Sequence, residues 1–428
     1  MPGNSGGAGV DRRRFLTISG TVLGGIAAGS TVVAAESSER FIVDTSSTSV
    51  DELEDAVEVV HDLSEIGVAV VRGRAGDLEG VTTDFEPDSV YALDQPADAV
   101  PVEDEAEASD AAYYDLQWDK QVQDVPSAHE VTEGEGTRVS VIDTGVDPTH
   151  PDLADAVNTE LSANFTDDGG DFTDSGYHGT HVSGIVASQG LGTIGTAPAT
   201  DLVACRVFSD EGGASFGDIL AAIVHSVAIG SDVANLSLGA YPVSRKGLGS
   251  FYGKVLNRAT TFANKEGTLL VVAAGNDSAD LQHDGSVIST PNEAANVLSV
   301  SATGPIGFGW GDPGLREPAT TPANYTNYGT NAIDVSAPGG NYDPDAIGSG
   351  QPWYYDLVIN TIPGGWAWVA GTSMAAPQVT GAAALVKSEN PNYNANQVRQ
   401  TLERTADRVG DKAYHGSGFL NPVDAVQD

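Results

Sequence analysis

The sequence predicts an α/β fold: a doubly wound, mostly parallel sheet with helices on both faces, preceded by a small α+β domain. Three observations carry this expectation. From about Tyr113 onward, apolar runs of strand length alternate with small-residue or amphipathic runs of helix length. The apolar runs are continuous rather than alternating, as strands buried on both faces are. Polar residues stand at the ends of those runs, where such sheets open a crevice.

In order, TRVSVID (137–143) reads as a strand, HVSGIVAS (181–188) as a small-residue helix and DLVACRV (201–207) as a strand. FGDILAAIVHSVAIG (216–230) reads as a helix and VANLSL (233–238) as a strand. VLNRATTFANKEG (255–267) is a helix closed by Gly267, and TLLVVAAGN (268–276) is another buried strand. Asp143 and Asn276 each end a strand, so they are expected to meet at one edge of the sheet.

Residues 36–108 form a separate acidic block. FIVD (41–44) and VAVVRG (68–73) read as strands. VDELEDAVEVVHDL (50–63) has helical spacing, with Leu53, Val57, Val60 and Leu63 on one face. The block runs into PVEDEAEASDAA (101–112), a charged linker of the kind that stays exposed to cleavage. Residues 1–35 carry Arg12-Arg13-Arg14-Phe15-Leu16 and an apolar stretch from Ile18 to Val33, shorter than the roughly 20 residues of a bilayer span. The stretch ends in Val33-Ala34-Ala35, a small-residue cleavage pattern. The RRxFL pattern resembles a twin-arginine export signal, and no cysteine is near to carry a lipid anchor. The expected organisation is therefore a signal (1–35), an N-terminal domain (36–108) and a main domain (109–428) in a secreted, monomeric protein without a membrane anchor.

The chain has 60 acidic and 20 basic residues, a formal net charge of −40. Such a surface repels polyanions, which excludes a nucleic-acid partner. It suits very high salt, where the Debye length falls to about 3 Å and self-repulsion is screened. The single cysteine, Cys205, rules out an intramolecular disulfide, and its apolar run marks it as a buried small hydrophobe.

Serine-based acyl transfer needs a nucleophile, a base, a group to hold the base, and oxyanion donors. Ser373, in GTSMAAP, lies where a Gly-Thr turn enters a small-residue helix whose unpaired N–H groups can donate. Pro377 is placed in the first turn, where no N–H partner is needed. His178, in HGTHVSG, has small neighbours that let the imidazole reach a serine, and Asp143, in VIDTGVD, can hold its ring. Asn276 offers a side-chain amide to the oxyanion. Taken singly, an N-cap serine, a core histidine and a turn asparagine are the bland alternatives. His181 reads as a packed structural residue, and Asp147 as a turn residue.

VIDTGVD, HGTHVSG, VANLSLG, AAGN, SAPGG and GTSMAAP, in this order, resemble the subtilisin family of serine proteases from about Gln117 to the end. The acidic charge and leader make the chain similar to extracellular proteases of halophilic archaea. The resemblance implies an endopeptidase acting on polypeptides, needing no cofactor for catalysis, with residues 36–108 as a self-cleaved inhibitory and chaperoning propeptide. It implies that Gly212-Gly213-Ala214 and Ser237-Leu238-Gly239 bind substrate as an added strand. Ala273-Ala274-Gly275 would wall an open S1 pocket for a large apolar side chain. Tyr177 replaces the glycine usual before the histidine, and Gln378 replaces a usual histidine; both are expected at the rim. The stretch from His178 to Ala197-Pro198 is about two residues short for the family's tight calcium loop. Asp167, Asp168, Asp171 and Asp174, on a glycine-containing loop, offer oxygen ligands for a structural Ca2+, or simply a solvated acidic loop. Related Ser-Glu-Asp acid peptidases lack the histidine and place an Asp at the oxyanion position. A catalytically silent member used for binding would be expected to have lost a triad residue.

Overall fold

The computed structural model describes residues 39–93, 95–102, 110–210 and 213–428, so the leader segment lies outside the described residues. Seven parallel strands form the main sheet: β7 (Arg138–Asp143), β8 (Ala163–Asn164), β9 (Asp201–Arg206), β11 (Val233–Leu236), β13 (Leu269–Ala273), β15 (Val297–Thr303) and β16 (Val335–Pro338), in the order β16-β15-β13-β11-β7-β9-β8. Val139, Val141, Val271 and Val300 face one core, and Ile142, Val203, Leu270 and Val272 face the other. This two-sided burial is why the strands are apolar throughout.

The helices His178–Ala187 and Thr372–Glu389 cover the first face, while Phe216–Ala228 and Leu248–Glu266 cover the second. The reversal of winding beside β7 brings Asp143 and the helix starts to the carboxyl edge of the sheet.

Residues 40–87 build a four-stranded antiparallel sheet in the order β2-β3-β1-β4, from β1 (Arg40–Asp44), β2 (Glu58–Leu63), β3 (Val68–Arg72) and β4 (Phe85–Pro87). Its alternation decides its packing. Ile42, Val68 and Val70 point to the Phe216–Ala228 helix side, while Phe41, Val43, Ala69 and Val71 enclose a small core with Leu53 and Leu78. The helix expected over 50–63 is corrected here. Only Val50–Glu54 is helical, closed by a Ser49–Glu52 capping box, and Glu58–Leu63 is a strand paired with β3. The run EVVH is β-branched at its centre, and pairing with β3 overrides a helical period that it also satisfies.

Candidate active site

Asp143 is the last residue of β7 and is fully buried. Its Oδ1 lies 2.7 Å from His178 Nδ1 and also accepts the Thr144 N–H at 2.7 Å. His178 opens its helix, 1 % exposed, and its Nε2 makes no hydrogen bond within the described protein. Gly179 is required by this approach, since a side chain there would run into the Gly145 carbonyl. His181 is buried, with Nε2 on the Ala367 carbonyl at 3.1 Å, and burial pushes it down to about 3. Asp147 Oδ1 accepts from the Thr149 backbone and hydroxyl, a turn contact.

Ser373 is the second residue of the Thr372–Glu389 helix and is nearly buried. Its Oγ donates to the Ser237 carbonyl at 3.2 Å rather than to His178. Pro377 is not in the first turn as expected; it is the sixth residue of the helix. Lacking an N–H, it leaves the Ser373 carbonyl without its intrahelical donor. Ser237 Oγ fills that place at 2.8 Å, and Asn235 Nδ2 donates to the same Oγ at 2.9 Å. Ser237 therefore acts through its side chain as well as its backbone.

Asn276 follows β13 through Gly275, whose φ of +100° and contact with Asn327 admit no side chain. Asn276 Oδ1 accepts from Thr372 N and Oγ1, both at 2.9 Å. That fixes the amide plane and turns Nδ2 toward the start of the Ser373 helix, 3.7 Å from where a Gly371 side chain would begin.

A pocket beside Ser373 is lined by Ser237, Leu238, Gly239, Ala273, Gly275 and Asn276, joined by Tyr241, Asp277 and Ser289. Ala274 is fully buried outside this lining, its N–H bonded to the Val300 carbonyl. Leu93 also lines the pocket. It follows β5 (Val90–Ala92), which pairs antiparallel with β10 (Gly213–Ser215), Tyr91 opposite Ala214. Gly212 lies outside the described residues. The N-terminal domain thus delivers an extended strand into the cleft. Nothing in the run SVYAL singles it out in sequence.

The four loop aspartates do not converge. Asp167 Oδ2 meets Arg40 at 2.8 Å and also Arg72; Asp168 meets Arg206. Asp171 closes its own turn on the Thr173 N–H at 2.8 Å. Asp174 is half-buried and accepts from Thr144 Oγ1 at 2.8 Å and the Thr180 N–H at 2.8 Å. Carboxylates already matched by guanidinium groups do not fit a cation, and among the described residues no group of three or more such side chains is placed to hold one. The short turn before Ala197 closes instead on Asp152. That carboxylate accepts the N–H groups of Leu191, Gly192 and Thr193 at 2.6, 2.9 and 3.1 Å, and Trp366 Nε1 at 3.0 Å.

Tyr177 is half-buried ahead of His178, and burial pushes its phenol up to about 12. Gln378 is fully buried, not at a rim. Its Oε1 accepts from Lys120 Nζ at 2.6 Å, and its Nε2 donates to Asp119 at 2.8 Å. Lys120 also donates to the Ile185 carbonyl at 3.0 Å and to Thr196 at 2.7 Å; burial lowers it to about 8. Sequence reasoning missed this cluster, because WDKQV looks solvent-facing. Cys205 is buried, which pushes its thiol up to about 12, and it takes no part.

A family model described as the subtilase family matches residues 134–419. The chain is 32% identical over 381 residues to an alkaline protease of Shouchella clausii, covering 88% of this chain and 84% of that one. It is 34% identical over 306 residues to subtilisin BL of Lederbergia lenta, covering 71% and 95%. Among solved structures, the epidermin leader peptide processing serine protease of Staphylococcus aureus shares the fold, with a TM-score of 0.74 at 22% identity over 92% of this chain and 98% of that one. The nisin leader peptidase of Lactococcus lactis has a TM-score of 0.64 at 25% identity, covering 74% and 95%. The chain belongs to the subtilase family and is a serine endopeptidase.

Proposed function

We propose that Ser373 is the nucleophile, His178 its general base and Asp143 the group that holds the base. The observation that carries this reading is the Val90–Leu93 segment, which enters the Ser373 pocket as an added strand, in the manner of a peptide substrate. Ser373 Oγ leaves the Ser237 carbonyl and attacks the peptide carbonyl carbon while His178 Nε2 takes its proton. Asp143 Oδ1 keeps the other ring nitrogen protonated and stabilises the imidazolium. Asn276 Nδ2 and the Ser373 N–H receive the oxyanion. His178 then gives its proton to the leaving amine, and water hydrolyses the acyl-enzyme by the same route.

The same observation supports reading the 36–108 block as a prosegment that inhibits and assists folding until it is cut, first just beyond Leu93 and then again to remove residues 94–108. The pocket walls Leu238, Ala240 and Ala273 suit a large apolar P1 side chain. The Arg12-Arg13-Arg14 leader supports export by the twin-arginine route, and the charge of −40 supports an extracellular, monomeric protein working in high salt. Catalysis needs no metal in this scheme.

An organophosphonate tests the reading: it should label Ser373 in folded, processed protein in molar salt, and absence of labelling refutes it. Ser373→Ala should leave the precursor uncut. Normal processing of that variant would assign the cut to another protease.

A further inference from the structure

Residues 95–102 lie along the main domain. The Pro96 carbonyl accepts the Tyr342 hydroxyl at 2.7 Å. Val100–Pro101 (β6) then pairs antiparallel with β18 (Gly365–Val369), Val100 opposite Trp368 and Pro101 opposite Ala367. The Val102 N–H donates to the Trp366 carbonyl at 2.9 Å. The other edge of β18 is taken by β17 (Val358–Ile362), so β6 occupies its outer edge.

β18 runs directly into the Ser373 turn, with Val369 four residues before Ser373. The segment therefore meets one sheet edge, at β10, before the nucleophile and a second edge, at β18, after it. Both edges accept an extended chain through main-chain groups, which is recognition by strand addition. Ala99, Val100 and Val102 pack against the main core, whereas Pro101 is exposed. A proline is tolerated at such an outward position because no partner there awaits its N–H.

We propose that the outer edge of β18 is a leaving-side subsite for extended polypeptide. It engages positions seven to nine residues beyond the place Leu93 fills, and residues 96–102 cover it in the precursor. The inference rests on Ser373 as nucleophile. It defines the substrate class further: unfolded segments or chains that continue well past the cut, with small β-branched residues at alternate positions and a tolerant one between. Short peptides end before they reach β18.

The test uses enzyme processed past residue 108, so that residues 96–102 no longer cover β18, and two internally quenched peptides copying residues 86–97 and 86–104 of this chain, with the cut mapped by N-terminal sequencing of the product. The longer peptide should be cleaved with kcat/KM higher by about tenfold, carried mainly by KM. A third peptide, residues 86–104 with an N-methyl group on Val102, should fall back toward the short one. Equal kcat/KM for the first two overturns the subsite, as does a long-peptide gain untouched by N-methylation. Failure to cleave any peptide, together with failure of Ser373 to take the organophosphonate, refutes the nucleophile assignment itself.

Discussion

Ser237 Oγ donates to the Ser373 carbonyl at 2.8 Å, replacing the helical bond that Pro377 cannot make. The same two residues are joined in reverse by Ser373 Oγ on the Ser237 carbonyl at 3.2 Å. The candidate nucleophile is thus tied to the substrate edge of the cleft by both its main chain and its side chain.

Ser237→Ala should leave that carbonyl buried and unpaired, costing about 1–3 kcal/mol of stability. It should also lower kcat, because the helix start would lose its fixed position relative to Asn276. Chemical denaturation of the Ser373→Ala precursor with and without the change measures the first effect, and active-site-titrated kinetics measures the second. A variant as stable and as fast as the parent would show the bond to be incidental.

Asn276→Ala removes one proposed oxyanion donor and also releases Thr372 N and Oγ1. Loss of such a donor costs about 10²–10³ in kcat, a figure that comes from subtilisin itself. KM should change little, because the donor faces charge present only in the transition state. An effect confined to KM would move Asn276 from oxyanion stabilisation to ground-state binding.

Asp152 is fully buried and gathers four N–H donors from the turn before Ala197 and from Trp366. Asp152→Ala orphans all of them, so we expect a loss of at least about 3 kcal/mol. Treatment with a calcium chelator in molar salt should shift the unfolding midpoint far less than this substitution. A chelator effect of equal size would mean that a bound cation, and not these N–H groups, holds the turn.

The strands of the main sheet were legible because burial on both faces makes them continuous apolar runs, and Asp143 followed as a strand end, whereas β13 stops at Ala273 and Asn276 lies three residues beyond it. Ser373 and His178 were singled out by the small residues on either side, and each stands in the first turn of its helix. The strand at Glu58–Leu63 was not, since Leu53, Val57, Val60 and Leu63 satisfy a helical period until β3 is there to pair with. Lys120, Asp152 and the Ser237 hydroxyl escaped notice for a different reason. Each is defined by partners far away in the chain, such as Gln378, Trp366 and Ser373. The loop aspartates left two readings open because composition cannot distinguish a carboxylate awaiting a cation from one, such as Asp167 or Asp168, already facing Arg40, Arg72 or Arg206.

Docking of the N-terminal domain should depend on pH through Asp88. This residue is buried between β4 and the Phe216–Ala228 helix, accepts the Gly217 N–H at 2.9 Å and lies 3.2 Å from Arg40 Nε. Arg40 Nη2 and His61 Nε2 both meet Asp218 Oδ1, at 2.6 and 2.9 Å, so Asp88 and Asp218 share the Arg40 guanidinium. Burial raises Asp88 from 3.8 to about 6, with Asp218 adding to the rise and Arg40 and the Gly217 N–H opposing it. The docked state therefore holds its proton more tightly than the released one. The contribution is fully present below about pH 4 and is lost as pH rises through about 6. In the uncut Ser373→Ala precursor at fixed molar salt, amide protection along β5 and β10, corrected for the intrinsic rise of exchange rate with pH, should be greater at pH 5 than at pH 7.5. Asp88→Asn, neutral throughout, should flatten that difference. If it keeps the parent's pH dependence, Asp88 is only a helix cap and does not carry the effect.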